Sequence, residues 1–303
     1  MIEIKEFEGT METELINKTY VVTGATSGIG LATAEALARA GAGVIGVGRS
    51  AERGREAEVH LRNLGHGAPI HYLVADLSLQ ADVRHLAEQV TEQLAADGKI
   101  GLDGLVNDAG TFTYWLMLTP DGVEMQWAVN YLAAFLLTNQ LLPVLKAAPM
   151  ARVVTVSSDS HYGTRLDWDD PQLRRHYNGL RAYGNTKLAD VLFTLELNCR
   201  LGQGSSVHAF AVDPGLVKTD IGLKGTPSLV SWVWKIRRSG GTAPDVPARC
   251  IVYLLAEPAI RDSGEVYWKD CSPKRASREA LDVTSAERLW ALSEKLCGID
   301  GKD

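Results

Sequence analysis

Tyr183 and Lys187 stand four residues apart in Tyr183-Gly184-Asn185-Thr186-Lys187. On a helix that spacing puts both side chains on one face, the ammonium beside the phenol. A free tyrosine titrates near ~10, too high to exchange protons readily at neutral pH, and an adjacent ammonium favours the phenolate and predicts a lowered value. Such a phenol can give a proton to a carbonyl oxygen or take one from an alcohol. Tyr177 and Tyr162 have no lysine four residues on, and read as ordinary structural tyrosines.

A second group of residues suits a phosphate. Tyr20-Val21-Val22-Thr23 runs as an apolar strand into Gly24-Ala25-Thr26-Ser27-Gly28-Ile29-Gly30, and a helix-like stretch from Leu31 to Ala40 follows. Glycines at i, i+4 and i+6 give a tight turn and let phosphates approach the backbone, where the free N–H groups of a helix start face the negative charge. The spacing is G-x-x-x-G-x-G, not the commoner G-x-G-x-x-G.

Together the two motifs resemble the short-chain dehydrogenase/reductase family, whose nucleotide turn reads T-G-x-x-x-G-x-G and whose catalytic helix carries Y-x-x-x-K. Further matches follow in the family's chain order: Asp76-Leu77, Asn107-Asp108-Ala109-Gly110, Asn130, Ser157-Ser158 and Asp213-Pro214-Gly215. The resemblance covers residues 17 to 298. It implies a nicotinamide dinucleotide held by Gly24, Thr26, Ser27, Gly28, Ile29 and Gly30, with Asp76 and Leu77 at the adenine. Asn107, Ala109 and Gly110 would pass the nicotinamide ribose, and Pro214, Gly215, Val217 and Thr219 would meet the nicotinamide amide and phosphate. Tyr183 would be the proton donor, with Lys187 beside it also holding the ribose. Ser158 would orient the substrate oxygen, while Ser157 makes local backbone bonds. Asn130 would kink its helix and hold a water in a relay to Lys187. Asp76 has a competing reading as the cap of a helix opening at Ser78.

Two departures stand out. Asp108 replaces the second asparagine of the family's N-N-A-G and reads as a hydrogen-bonding substitute that alters packing. Ser158 lies 25 residues before Tyr183, about twice the spacing of short relatives. The longer spacing, with Tyr267–Cys271 and Ala286–Trp290 in the tail, is similar to the retinol dehydrogenase-like branch.

Val47-Gly48-Arg49-Ser50 bears on which dinucleotide binds. NAD-preferring folds place an acid here to accept from the ribose 2′-OH. Gly48 stands in its place, and the Arg49 guanidinium matches a 2′-phosphate that a carboxylate would repel. The reading is NADP(H); the competing one is a solvated arginine. Arg53 and Arg55 read as exposed.

Strands at Thr19–Thr23, Gly43–Val47, Ile70–Val74, Gly104–Asn107, Arg152–Ser157, Val207–Val212 and Glu265–Trp268 alternate with helices such as Ser78–Ala96, Asp121–Ala147 and Ala182–Leu201. Short apolar strands alternating with helices predict an α/β fold with a doubly wound parallel sheet, the Rossmann fold. With no linker or repeat, residues 17–303 read as a single domain behind an N-terminal extension, 1–16. Ile221–Pro244, with Trp232, Trp234, glycines, Lys235, Arg237 and Arg238, reads as a substrate lid. Weak contact with a membrane surface is the competing reading.

The 303 residues carry a net charge of −6, with 46 % hydrophobic and 22 % charged residues. The acidic balance argues against nucleic acid as a partner. Cys199, Cys250, Cys271 and Cys297 are widely spaced and read as reduced thiols of a cytoplasmic protein, and neither they nor the histidines show metal-ligand spacing. Residues 1–18 lack the pattern of a signal peptide or of the anchor found in retinol dehydrogenase relatives, and no apolar stretch reads as the ~20 residues of a membrane span. The resemblance implies a homo-oligomer paired through Asp121–Ala147 and Ala182–Leu201. The expected function is NADP(H)-dependent interconversion of a carbonyl and an alcohol on a bulky, mostly apolar substrate, retinoid-, steroid- or aromatic-like. The alternatives are reduction of a carbon–carbon double bond and a non-catalytic nucleotide-binding interaction protein.

Overall fold

The computed structural model describes residues 15–217, 241–261 and 263–299. Their elements alternate as the hydrophobic pattern predicts: β1 (Thr19–Thr23), α1 (Gly28–Arg39), β2 (Gly43–Gly48), α2 (Ala51–Leu64), β3 (Ile70–Val74), α3 (Gln80–Ala96) and β4 (Gly104–Asn107). A π-helical turn, Trp127–Leu132, leads into α4 (Ala133–Ala147), followed by β5 (Ala151–Val156), α5 (Gly179–Leu201), β6 (Val207–Asp213) and α6 (Asp245–Ala256). A short hairpin, β7 (Tyr267–Lys269) and β8 (Ser272–Pro273), and α7 (Val283–Cys297) complete the order.

All eight strands form one sheet in the order β3-β2-β1-β4-β5-β6-β7-β8. It is parallel from β3 to β7, with β8 antiparallel at the edge. The apolar runs of β1 and β5 are buried along their whole length because helices cover both faces of the sheet. One core layer joins the sheet to α3, α4, α5 and α7, the other to α1, α2 and α6. The strand order reverses between β1 and β4, and a crevice opens at their carboxyl ends, where such sheets bind ligands.

Several boundaries move for local reasons. The first helix opens at Gly28, not Leu31, so its free N–H groups lie inside the glycine turn. The Asp76 carboxylate accepts from Ser78 N at 3.0 Å, and the resulting turn delays α3 to Gln80. Residues 121–124 are not helical; Leu118 and Glu124 pair as an antiparallel bridge. The Glu124 carboxylate then accepts from Gln126 N (3.0 Å) and Trp127 N (2.7 Å), capping the π turn. Asn178 caps α5 by accepting from Arg181 N, which starts that helix three residues before Ala182.

Leu15, assigned above to the extension, is fully buried in the core. Trp127–Ala147, 21 residues long, is apolar enough to cross a membrane, contrary to the reading above, but two thirds of its length is buried within the protein, as in a core helix. α7 packs along α4 and α5: Trp290 meets Phe135 edge-on at 4.9 Å and stacks on Phe193 at 5.9 Å, and Tyr131 shares a 2.5 Å hydrogen bond with Ser293. The helix pair expected to meet a partner copy thus packs against the chain's own α7.

Candidate active site

The turn after β1 is shaped for a phosphate. Gly24 and Gly28 have φ of +73° and +59°, the left-handed region that favours glycine. A Cβ on Gly30 would lie 2.7 Å from both the Gly24 carbonyl oxygen and Asp108 Oδ2, so nothing larger fits. Thr26, Ser27 and Ile29 complete the turn into α1. The hydroxyl of Thr23, passed over above, ties this turn to β4: it donates to Val106 O and accepts from Asp108 N (3.0 Å) and Ala109 N (3.1 Å). The cradle, at the N-terminus of a twelve-residue helix, fits a dinucleotide pyrophosphate.

β4 delivers Asn107, Asp108, Ala109 and Gly110 to the crevice. The Asn107 amide turns inward, donating to Thr138 Oγ1 at 3.2 Å and Thr155 Oγ1 at 3.4 Å; it braces β4 against α4 and β5. Asn130 sits within the π turn, a frequent feature of functional sites. Its Oδ1 accepts from Thr111 N at 2.7 Å, and its Nδ2 donates to Thr111 O and Thr186 Oγ1. The side chain therefore clamps the loop after Gly110 to α5.

On α5, the Lys187 ammonium lies 5.7 Å from the centre of the Tyr183 ring. It donates to Val156 O at 2.7 Å and to Asp190 Oδ2 at 2.8 Å, leaving one of its three N–H groups for the crevice. Asp190, unremarked in the sequence, is fully buried. Burial pushes its carboxyl up to about 7 despite that ammonium, while the pairing with Asp190 holds Lys187 above its ordinary value against its own burial. The signal was there to read: Asp190 is an acid within the apolar run Leu188–Phe193, three residues after Lys187.

The Tyr183 phenol is shifted the other way from the expectation. Burial raises it above 10, Lys187 pulls it down, and Asp190, Asp108 and Asp213 push it up again. The ammonium expected from the motif is thus opposed by burial and by three carboxyls.

Ser157 Oγ donates to Lys187 O at 2.8 Å, a backbone bond as expected but to α5 rather than a local one. Ser158 is half-buried at the end of β5, and its hydroxyl accepts from Ser160 N at 3.2 Å. Tyr177 is structural, donating to Glu124 Oε1 at 2.8 Å and accepting from Gln126 Nε2; Tyr162 donates to the Arg275 carbonyl. Asp213 Oδ1 accepts from Gly215 N at 2.9 Å, setting the turn through Pro214. Val217 pairs with Thr242 in an isolated parallel bridge. Thr219 and most of the expected lid, with Trp232 and Trp234, lie outside the described residues.

At the end of β2, Arg49 is exposed and forms no ion pair among the described residues. Gly48 has a packing reason the sequence hid. The Tyr72 ring slots against Gly46, Gly48 and Gly54, and a Cβ on Gly48 would stand 2.4 Å from the tyrosine oxygen. An acid there would first have to displace Tyr72. Asp76 is exposed; one oxygen accepts from Ser78 N in the turn before α3 and does not cap that helix, whose cap position is Leu79, and Leu77 is half-buried against the core. A cavity of about 700 Å³ between Trp168, Leu188, Leu192 and Asp282 lies behind α5, since Leu192 is about 180° around the helix from Tyr183.

The comparisons agree with this geometry. The family model of the short chain dehydrogenases matches residues 18–227. Human retinol dehydrogenase 14 is 35 % identical over 301 residues, covering 93 % of this chain and 87 % of the relative. A solved structure of an uncharacterised protein from Mycobacterium paratuberculosis is 33 % identical, with a TM-score of 0.74 over 96 % of this chain and 97 % of that one. The angucycline C-6 ketoreductase LanV, solved with bound NADP, is 27 % identical, with a TM-score of 0.67 over 85 % and 95 % of the two chains. The chain is an oxidoreductase that belongs to the short-chain dehydrogenase family, in its retinol dehydrogenase-like branch.

Proposed function

We propose that the protein interconverts a carbonyl and an alcohol on a bulky, mostly apolar substrate, using NADP(H). The observation that carries this is the pairing of Tyr183 with Lys187 on α5, in the crevice that also holds the glycine cradle. Gly24 to Gly30 would hold the pyrophosphate, the free N–H of Lys187 the nicotinamide ribose, and Pro214, Gly215 and Val217 the nicotinamide end. The bound nicotinamide supplies or accepts the hydride. Tyr183 gives its proton to the carbonyl oxygen, or takes one from the alcohol in reverse. Lys187 stabilises the phenolate left behind, and Asp190 fixes Lys187. Ser158 orients the substrate oxygen, and Asn130 holds the Thr111 loop in place.

NADP(H) is favoured by Arg49 at the end of β2, exposed and in no ion pair among the described residues, and by Gly48 standing where a carboxylate would. The NADP in the LanV ketoreductase points the same way. An apolar substrate is supported by the exposed run Trp115-Leu116-Met117-Leu118. It follows Phe112, whose ring lies 6.0 Å from that of Tyr183. Retinol dehydrogenase relatives agree with such a substrate. Oxidation of NADPH should be followed over retinoid, steroid, aromatic and aliphatic carbonyls. Turnover of the bulky apolar members is the expected result. Cofactor binding without consumption on any of them would instead favour a nucleotide-binding interaction protein.

A further inference from the structure

The N–H groups that open α1 are the ones a pyrophosphate would use, and an acid already stands beside them. The carboxylate of Asp108 lies against Gly30 in that helix start. Asp108 Oδ2 lies 2.7 Å from where a Cβ on Gly30 would stand and 3.3 Å from the corresponding point on Gly24. The main chain at Asp108 is pinned by the 3.0 Å bond from its N–H to Thr23 Oγ1, so the carboxyl is fixed at the floor of the glycine turn. Related enzymes carry a neutral asparagine here, so an incoming dinucleotide meets an added negative charge in this chain.

We infer that Asp108 couples proton uptake to dinucleotide binding: a solvent proton moves onto its carboxylate as the pyrophosphate enters the turn. The inference rests on the dinucleotide reading of the crevice. From α5, Lys187 and Tyr183 face Asp108, with Asp190 behind Lys187 and Asp213 reaching Tyr183. The turn between β1 and α1 offers no ionisable side chain, only N–H groups. Burial pushes the Asp108 carboxyl up to about 7, against the pull of Lys187 and of Gly30 N. A second anion beside it raises that value further. Below the free-protein value Asp108 is already protonated and affinity is flat. Above it, binding must draw a proton from solvent, and affinity falls with rising pH by up to ~10-fold per unit.

The test is calorimetric titration of NADPH into the full chain and into Asp108→Asn, at about pH 7 and pH 8, in buffers of different ionisation enthalpy. The 2′-phosphate titrates equally in both proteins and cancels. Wild type should take up more protons than the variant, by up to one per site, and lose up to ~10-fold more affinity across that unit of pH. Equal proton uptake and equal pH slopes would overturn the inference. Should Asp108→Asn fail to fold, infrared difference spectra of wild type at pH 8 decide. A protonated-carboxyl band appearing with NADPH supports the coupling, and its absence overturns it. Failure of NADPH to bind wild type at any pH would overturn the dinucleotide reading itself, and the coupling with it.

Discussion

The two ends of the crevice are built differently. Around Tyr183, polar groups are committed: Lys187 to Val156 and Asp190, Ser157 to the Lys187 carbonyl, Asn130 to Thr111 and Thr186. At the end of β2, Arg49 stands exposed, and Asp76 keeps an oxygen free of any hydrogen bond to the described residues. The reaction end is rigid and ionic, so a change there removes either the chemistry or part of the fold. The end at Arg49 and Asp76, which the proposed dinucleotide reading assigns to the adenosine, presents exposed side chains, so a change there should alter affinity and leave the protein otherwise intact.

The largest effect that would sharpen this contrast is expected at Asp190. Asp190→Ala strands the buried Lys187 ammonium and should cost about 3–5 kcal/mol in urea unfolding, with Asp190→Asn milder. A loss below about 1 kcal/mol would show that the reaction end is no more committed than a surface pair.

Tyr183→Phe comes next. The Tyr183 hydroxyl has no hydrogen bond to any described residue, so removing it should spare the melting temperature and NADPH binding. Turnover should fall ~100-fold or more. A near-normal rate would take Tyr183 out of the chemistry. At the open end, Arg49→Ala should weaken NADPH by ~10-fold, about 1.4 kcal/mol, and leave NADH and the melting temperature unchanged. An unchanged ratio of NADPH to NADH affinity would make Arg49 a solvated surface residue and move selectivity elsewhere.

Much of this architecture was legible because it follows from local pattern. β1, β3 and β4 have the bounds that their apolar runs predict, and the motifs fall at strand ends as a doubly wound sheet requires. What stayed hidden depends on contacts between distant segments. Gly48 reads as a missing acid until Tyr72, 24 residues on, is seen filling its space. The Tyr183 shift reverses sign because folding buries the phenol, and because Asp108 and Asp213, arriving from distant segments, add to that burial. The early break before the π turn depends on Glu124, an acid that the pattern alone places inside a helix.

The packing of α7 also gives the site an order of assembly. The glycine cradle needs only β1, α1 and β4, which end at Asn107. The rear of α5 is closed by Trp290 stacked on Phe193, and α7 is tied to the π turn by the Tyr131–Ser293 bond, which joins residues 162 positions apart. During synthesis, therefore, the phosphate-binding half can form while α5 still shows bare apolar surface. The long loop closed by α7 makes that step slow relative to local helix formation. A nascent chain passes through a stage able to grip a nucleotide but with its catalytic helix unbacked, an interval when chaperones have apolar surface to hold.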